Sequence, residues 1–124
     1  MLNDKAVLIV EDNLYLSIDL SAAVEEMDGR VVGPVSTVAE AHLVLDAEHV
    51  SAAILDCELA DSQVTSVARR LVEKNVPYVI HTGTEVPAEL TLLRPDAPVL
   101  MKPIQPMHVI AILAAHAERS GNKR

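Results

Sequence analysis

The sequence contains no phenylalanine and no tryptophan, so that Tyr15 and Tyr78 are its only large aromatic side chains. Half of its 124 residues are nevertheless hydrophobic, and any core must therefore be built from aliphatic side chains and methionine. A chain of this length can bury one core but is too short for a second folded unit. The composition predicts a single compact domain with an aliphatic interior.

Cysteine and long hydrophobic runs are also scarce. Cys57 is the only cysteine, which excludes an internal disulfide and is typical of a protein in a reducing cytosol. The apolar run that precedes Glu11 has five residues, too few for a signal peptide or a membrane span. We therefore expect a cytoplasmic protein that does not bind membranes.

Basic residues are the minority among the charged ones. The chain has 10 Lys and Arg residues against 18 Asp and Glu residues, which gives a formal net charge of -8 at pH 7. Such a surface repels nucleic-acid phosphates and anionic lipid headgroups. We therefore expect no nucleic-acid partner, and a basic protein partner is favoured over an acidic one.

The chain alternates between short apolar runs and helical patterns. The runs are nearly continuous, which is typical of parallel strands covered on both faces; they are Ala6 to Val10, Ala52 to Leu55, Tyr78 to Ile80 and Val99 to Met101. A further strand, Val31 to Val35, contains Pro34. Because proline cannot donate a ladder hydrogen bond, this strand belongs at an edge of the sheet.

Five helices are predicted between and after the strands. The first runs from about Leu14 to Met27 and should end at Gly29. The second opens with a capping box, Thr37 to Glu40, and continues to about Glu48. The third carries an apolar stripe, and the fourth should be short or irregular because of its prolines. The third helix is predicted at Val64 to Val72, the fourth at Glu85 to Leu93 and the fifth at about Pro106 to Arg119.

This order of elements predicts an α/β domain, a doubly wound five-stranded parallel sheet with helices on both faces. The edge position of Pro34 favours the flavodoxin-like strand order 2-1-3-4-5. The domain is expected to span residues 1–119, followed by a polar tail over residues 120–124.

Polar side chains follow four of the predicted strands: Glu11 and Asp12, Asp56, Thr82, and Lys102. Ligand sites in such sheets lie outside the carboxyl ends of the strands, and neighbouring strands are about 4.8 Å apart. Three carboxylates that meet at this spacing repel one another, and a hard cation such as Mg²⁺ relieves the repulsion. The central Asp56 could then attack a phosphorus atom, while Lys102 offers a positive charge and Thr82 a hydroxyl donor.

Four segments in this order and spacing, LIVEDN, ILDCEL, VIHTG and VLMKP, resemble the signature segments of response-regulator receiver domains. The resemblance implies that Asp56 accepts phosphate from a histidine kinase or a phosphotransfer protein. It further implies that Glu11 and Asp12 hold Mg²⁺ together with Asp56 and the backbone carbonyl of Glu58. Thr82 would be the switch hydroxyl, Lys102 would bridge to the phosphate, and the peptide before Pro103 would be cis.

The same resemblance implies a phosphoacceptor rather than a turnover enzyme, with at most slow autophosphorylation and autodephosphorylation. The signal would pass to an unknown downstream protein. The chain could also form a homodimer through the face made by helix four, strand five and helix five.

Some positions depart from the family pattern. Val99 stands where many receivers carry an aromatic switch residue, and Asp61 stands where glycine is frequent. Val99 and the degraded fourth helix keep open a phosphorylation-independent receiver-like interaction module, whereas the complete set of five polar residues argues against it. Glu58 and Thr84 should border the site and alter its rates, with a sign that the sequence leaves open.

A second alternative is a small phosphatase of the haloacid-dehalogenase type. Such enzymes place an Asp-x-Asp motif after the first strand, whereas this chain has Glu-Asp-Asn there and no room for a cap domain.

The five histidines lack compact ligand spacing, so surface or packing roles are expected; they are His42, His49, His81, His108 and His116. His81 is expected to influence its neighbour Thr82 only modestly.

Overall fold

The computed structural model describes residues 2–121. Five parallel strands form one sheet in the order β2-β1-β3-β4-β5. The strands are β1 (Ala6–Val10), β2 (Arg30–Val35), β3 (Ala52–Leu55), β4 (Tyr78–Thr82) and β5 (Val99–Met101). The helices are α1 (Leu14–Glu26), α2 (Val38–Ala47), α3 (Thr65–Glu73), α4 (Ala88–Leu93) and α5 (Pro106–Gly121). The doubly wound sheet, its strand order and the edge position of the Pro34 strand are confirmed.

Two aliphatic cores lie on the two faces of the sheet. Successive residues of a strand point to opposite faces, so the continuous apolar runs supply both cores at once. Ile9 of β1 packs with Leu20 of α1 and Leu113 of α5, whereas Leu8 packs with side chains of α2, α3 and α4, such as Leu71. The central strands are therefore buried on both faces, as predicted.

The edge strand β5 differs from that prediction. Val99 is 46% exposed and Met101 is 52% exposed. These two residues pair with Ile80 and Thr82, whose side chains lie on the α4 face of the sheet. Helix α4 has six residues because Pro87 precedes it and Pro95 follows it, so it is too short to cover this face. The prediction of a short α4 is confirmed, and that of a β5 covered on both faces is wrong.

The end of α1 is built differently from the expectation for Gly29. The left-handed backbone position belongs to Asp28, whose φ is 62°. Gly29 follows it and donates its N–H to the carbonyl of Val24 at 2.9 Å. A Cβ at Gly29 would lie 2.6 Å from Cδ1 of Leu2 and 2.8 Å from Cγ1 of Val24. Glycine is required at this position by close packing, not by a left-handed backbone.

The start of α2 confirms the predicted cap and extends it. The hydroxyl of Thr37 accepts the N–H of Glu40 at 3.1 Å, while the Glu40 carboxylate reaches one residue further back, to the N–H and hydroxyl of Ser36. The Asp61 carboxylate accepts the first two backbone N–H groups of α2, at 3.0 and 3.1 Å. These bonds hold the pKa of Asp61 below its usual value. Asp61, at the position where receivers frequently have glycine, thus connects the β3–α3 loop to α2.

Helix α5 continues to Gly121, two residues beyond its predicted end at Arg119. Residues 122–124 of the predicted polar tail lie outside the described residues. Among residues 2–121, no helix combines the length and the apolar character needed to cross a membrane.

Candidate functional site

The strand register brings three ionisable side chains into one row at the carboxyl edge of the sheet. Val10 of β1, Leu55 of β3 and Ile80 of β4 stand opposite one another. The residues that come next along these three segments are Glu11, Asp56 and His81, and all three are buried. Because the strands are parallel and adjacent, the row follows from the fold alone.

Glu11, Asp12 and Asp56 form an acidic cluster. One carboxylate oxygen of each lies within 4.8 Å of those of the other two. Glu11 is 2% exposed and Asp56 is 1% exposed, whereas Asp12 faces solvent. Burying two carboxylates so close together is costly unless positive charge compensates them. Oxygen donors with one side open to water are the surroundings that Mg²⁺ prefers, so the cluster fits this ion.

Lys102 supplies a positive charge directly to the cluster. Its Nζ lies 2.9 Å from Oε1 of Glu11 and 3.3 Å from Oδ2 of Asp56, and its side chain is 20% exposed. Burial alone would lower the pKa of Lys102, but the hydrogen bond to Glu11 and the charge of Asp56 outweigh it and raise that pKa. The ammonium is therefore firmly protonated, and the two buried carboxylates share it.

Glu11 is one of the two buried acids of the cluster. Burial, and then its hydrogen bond with Asp56, raise the pKa of Glu11 from 4.5 to about 7. The backbone N–H of Asn13, at 3.0 Å from Oε2, and the ammonium of Lys102 act in the opposite direction. In the metal-free protein, the Glu11 carboxyl thus exchanges its proton close to neutral pH.

The raised pKa of Glu11 predicts a pH dependence of stability in metal-free solution. The folded protein binds this proton more tightly than the unfolded chain does. The resulting stabilisation is complete below pH 4.5 and disappears as the pH rises through about 7. We expect Glu11 to contribute a fall of about 3 kcal/mol in the free energy of unfolding over this range. Urea denaturation of the wild type and Glu11→Gln, in the presence of a chelator, isolates that contribution. Equal pH slopes for the two proteins would contradict it.

The two loops beside Asp56 are linked through Glu58. Its backbone N–H donates to Oδ1 of Asp56 at 3.0 Å, and its carboxylate accepts the N–H of Gly83 at 3.0 Å. Glu58 is otherwise exposed to solvent. Its side chain therefore joins the β3–α3 loop to the β4–α4 loop at the edge of the cluster, a contact that the sequence did not reveal.

Thr82 is fully buried at the end of β4. Its hydroxyl accepts the backbone N–H of Thr84 at 3.2 Å and shares a second hydrogen bond of 3.2 Å with the Thr84 hydroxyl. Burial raises the pKa of the half-buried thiol of Cys57. The structure thus brings Glu11 and Asp56 into contact with Lys102 and places the Asp12 carboxylate within 4.8 Å of the other two carboxylates. The Thr82 hydroxyl lies in a neighbouring network.

His81 lies close to Glu11 of the acidic cluster, which the sequence did not indicate. It is 2% exposed, and its Nδ1 lies 3.9 Å from Oε1 of Glu11. Burial, with a further effect of Lys102, holds the pKa of His81 below its usual value. The sequence does contain a sign that His81 is buried, because this histidine directly follows the apolar run Tyr78 to Ile80.

A cavity of about 890 Å³ lies at the opposite end of the sheet. Its lining includes Lys5, Ser51 and Pro77, which precede β1, β3 and β4. The cavity is therefore separate from the acidic cluster, which occupies an open crevice at the other end of the sheet.

The structural comparisons agree with this fold. No protein-family model matches the chain, and no curated protein matches it. A receiver domain from Methanospirillum hungatei superimposes with a TM-score of 0.83 at 19% identity, covering 97% of this chain and 98% of that one. The chain has the fold of a response-regulator receiver domain. The peptide between Lys102 and Pro103 is cis, as the resemblance implies.

Two further receiver domains give similar results. The signal receiver domain of a protein described as a Luxo repressor, from Vibrio parahaemolyticus, has a TM-score of 0.80 at 23% identity and covers 96% of this chain and 94% of its own. The receiver domain of a sensor histidine kinase from Pseudomonas aeruginosa has a TM-score of 0.75 at 21% identity, with coverages of 92% and 98%. That domain carries a magnesium ion in its active-site cleft.

Proposed function

We propose that this receiver-fold domain accepts a phosphoryl group on Asp56 from a histidine kinase or a phosphotransfer protein, in the cytoplasm. The observation that carries the proposal is a cluster of three carboxylates in this fold, two of which contact the ammonium of Lys102. Asp12, Glu11 and Asp56, with the backbone carbonyl of Glu58, would hold Mg²⁺. Bound there, the ion would neutralise the carboxylates and orient the phosphoryl oxygens.

The proposed chemistry is an in-line displacement on phosphorus. A carboxylate oxygen of Asp56 forms the new P–O bond while the bond from phosphorus to the donor's imidazole nitrogen breaks. The imidazole leaves with the electron pair of that bond. Lys102 already contacts Oδ2 of Asp56, so its ammonium can follow the negative charge onto the phosphoryl group with a small movement.

The conformational response would pass through Thr82. If the Thr82 hydroxyl turns towards a phosphoryl oxygen, its hydrogen bonds with Thr84 would change, which would alter the start of the β4–α4 loop. Phosphorylation then biases an equilibrium between two loop arrangements. Val99 is exposed and has no ring, so the readout would use this loop and not a threonine-to-aromatic relay.

Fluoroberyllate, a phosphoryl mimic, distinguishes this function from the phosphorylation-independent interaction module. With Mg²⁺ present, we expect it to shift the backbone amide resonances around Asp56 and Thr82 in the wild type and to leave those of Asp56→Asn unchanged. If the amide resonances of the wild type do not shift, or if they shift equally in Asp56→Asn, the interaction module would be favoured. Turnover of p-nitrophenyl phosphate at many cycles per minute would instead support the phosphatase alternative over a slow phosphoacceptor.

The contact between Glu58 and Gly83 predicts the sign of one rate effect. The Glu58 carboxylate accepts the backbone N–H of Gly83 near Asp56, so this N–H is not available to a phosphodonor. The carboxylate also places a negative charge where an anionic phosphodonor would arrive. We expect Glu58→Gln, which keeps an oxygen acceptor but removes the charge, to raise the phosphorylation rate with acetyl phosphate roughly threefold to tenfold at low ionic strength. Asp61→Asn removes a more distant charge and should change the rate less. An unchanged or slower Glu58→Gln would show that the carboxylate does not repel the donor.

We further propose that the uncovered α4–β5 face is where the protein meets a downstream partner or a second copy of itself. Leu92 is 78% exposed, and it adds to the apolar surface of Val99 and Met101. We expect Val99→Glu to weaken self-association of the fluoroberyllate-loaded protein in sedimentation experiments. The control is Leu43→Glu, on the exposed side of α2. A protein that is monomeric at every concentration would exclude the homodimer.

A further inference from the structure

The site contains a buried polar group that the proposed chemistry does not use. His81 and Glu11 lie on the same face of the sheet, in the row that also contains Asp56. Within the described residues, Nδ1 of His81 has no hydrogen-bond partner and no exposure to solvent. A buried nitrogen of this kind costs free energy unless it gains a partner in some functional state.

The nearest candidate partner is Oε1 of Glu11, at 3.9 Å. This distance is too long for a hydrogen bond, and a movement of about 1 Å would bring the two atoms into range. At present Oε1 interacts with the ammonium of Lys102 at 2.9 Å, while Oε2 accepts the backbone N–H of Asn13. In the unphosphorylated protein, Oε1 therefore depends on its ion pair with Lys102.

Phosphorylation changes this balance. When Asp56 becomes an acyl phosphate, its negative charge moves outward to the phosphoryl oxygens, and Lys102 moves with it. Oε1 of Glu11 then loses its cation in a position that is almost completely buried. A carboxylate oxygen without a donor there would swing or take up a proton, and either change would weaken its hold on the metal.

We propose that His81 is a positioning residue that donates its Nδ1–H to Oε1 of Glu11 once Lys102 has moved to the phosphoryl group. The inference rests on the proposed function. The imidazole replaces the ammonium as the donor and keeps the Glu11 carboxylate directed towards the metal.

The tautomer of His81 can be read directly by NMR of protein labelled with ¹⁵N-histidine. In the presence of Mg²⁺ and fluoroberyllate, we expect the Nδ1–H tautomer, with a proton resonance that moves downfield from its metal-free position. Asp56→Asn should show no such movement. An Nε2–H tautomer in the loaded state, or an unchanged Nδ1 resonance, would overturn the proposal.

Variants provide a second measurement. Leucine at position 81 removes the donor, whereas the asparagine side-chain amide lies close to the place of Nδ1. We expect His81→Leu to weaken fluoroberyllate binding at saturating Mg²⁺ roughly tenfold and to change Mg²⁺ binding alone less than twofold. His81→Asn should restore most of the affinity. Equal losses in both measurements, or no rescue by asparagine, would assign His81 a merely structural role.

The control is His116→Leu, which removes a buried histidine from the far end of α5. It should leave both affinities unchanged. If His81→Leu does not fold, the tautomer measurement on the wild type still decides. Failure of the proposed function can be distinguished from failure of this inference. If the proposed function is wrong, fluoroberyllate produces no amide shifts in the wild type, and the role of His81 is then excluded as well. Amide shifts without a response of His81 would overturn the inference alone.

Discussion

Asp56→Asn is expected to abolish the incorporation of a phosphoryl group from acetyl phosphate or from a cognate kinase. The amide is a poor nucleophile, and it also removes one of the two buried negative charges of the site. The wild type should gain the mass of one phosphoryl group in the presence of Mg²⁺, as measured by intact-mass spectrometry. The variant should gain none, a loss of at least a hundredfold in rate.

The matched control is Asp19→Asn, an exposed position on α1, which should be phosphorylated at the wild-type rate. Binding of Mg²⁺ offers a separate check, because Asp56→Asn replaces a carboxylate ligand with an amide and should weaken the affinity about tenfold or more. Phosphorylation of Asp56→Asn at the normal rate would show that the acceptor lies elsewhere.

The second large effect is expected from Lys102→Met. This change removes the ammonium that Glu11 and Asp56 share and leaves two buried carboxylates facing each other. We expect the metal-free protein to lose about 3 kcal/mol of unfolding free energy, a typical cost of breaking a buried ion pair. Millimolar Mg²⁺ should restore much of this loss, because the ion supplies the missing positive charge and binds more tightly to the variant.

The phosphorylation rate should nevertheless fall by two orders of magnitude or so, since no cation is left to follow the charge onto the phosphoryl group. Urea denaturation with a chelator and with Mg²⁺, together with a time course of phosphorylation, checks the opposite signs of the two effects. Lys5→Met, at the start of β1 and the opposite end of the sheet, serves as the control. Unchanged stability of Lys102→Met in the chelator would mean that the acidic cluster does not depend on this lysine.

Much of the fold was accessible from the sequence because it depends on local patterns. The apolar runs of β1, β3 and β5 matched the observed bounds, and Pro34 correctly located the edge strand. The details that failed depend on packing between distant segments. Gly29 is required by a contact with Leu2, which no local pattern around α1 contains. The exposure of β5 likewise depends on how far α4 reaches across the sheet.

The acidic cluster was predictable for a different reason. In a parallel sheet, neighbouring strands end at the same edge, so topology alone brings Glu11, Asp12 and Asp56 together. The contact of Glu58 with Gly83 and the approach of His81 to Glu11 depend on loop conformation and on side-chain direction. Alternation along β4 places His81 on the face opposite Thr82, so its closer relation is with Glu11 and not with its sequence neighbour.

The β3–α3 loop is fastened at two places. Glu58 holds it to the β4–α4 loop, and Asp61 holds it to the first turn of α2. If Asp56 is phosphorylated as proposed, a displacement that begins there would be divided between two helices that share one side of the molecule. A protein docked against α2 and one docked against α4 would then sense the same chemical event, and each would in turn alter how easily the other binds.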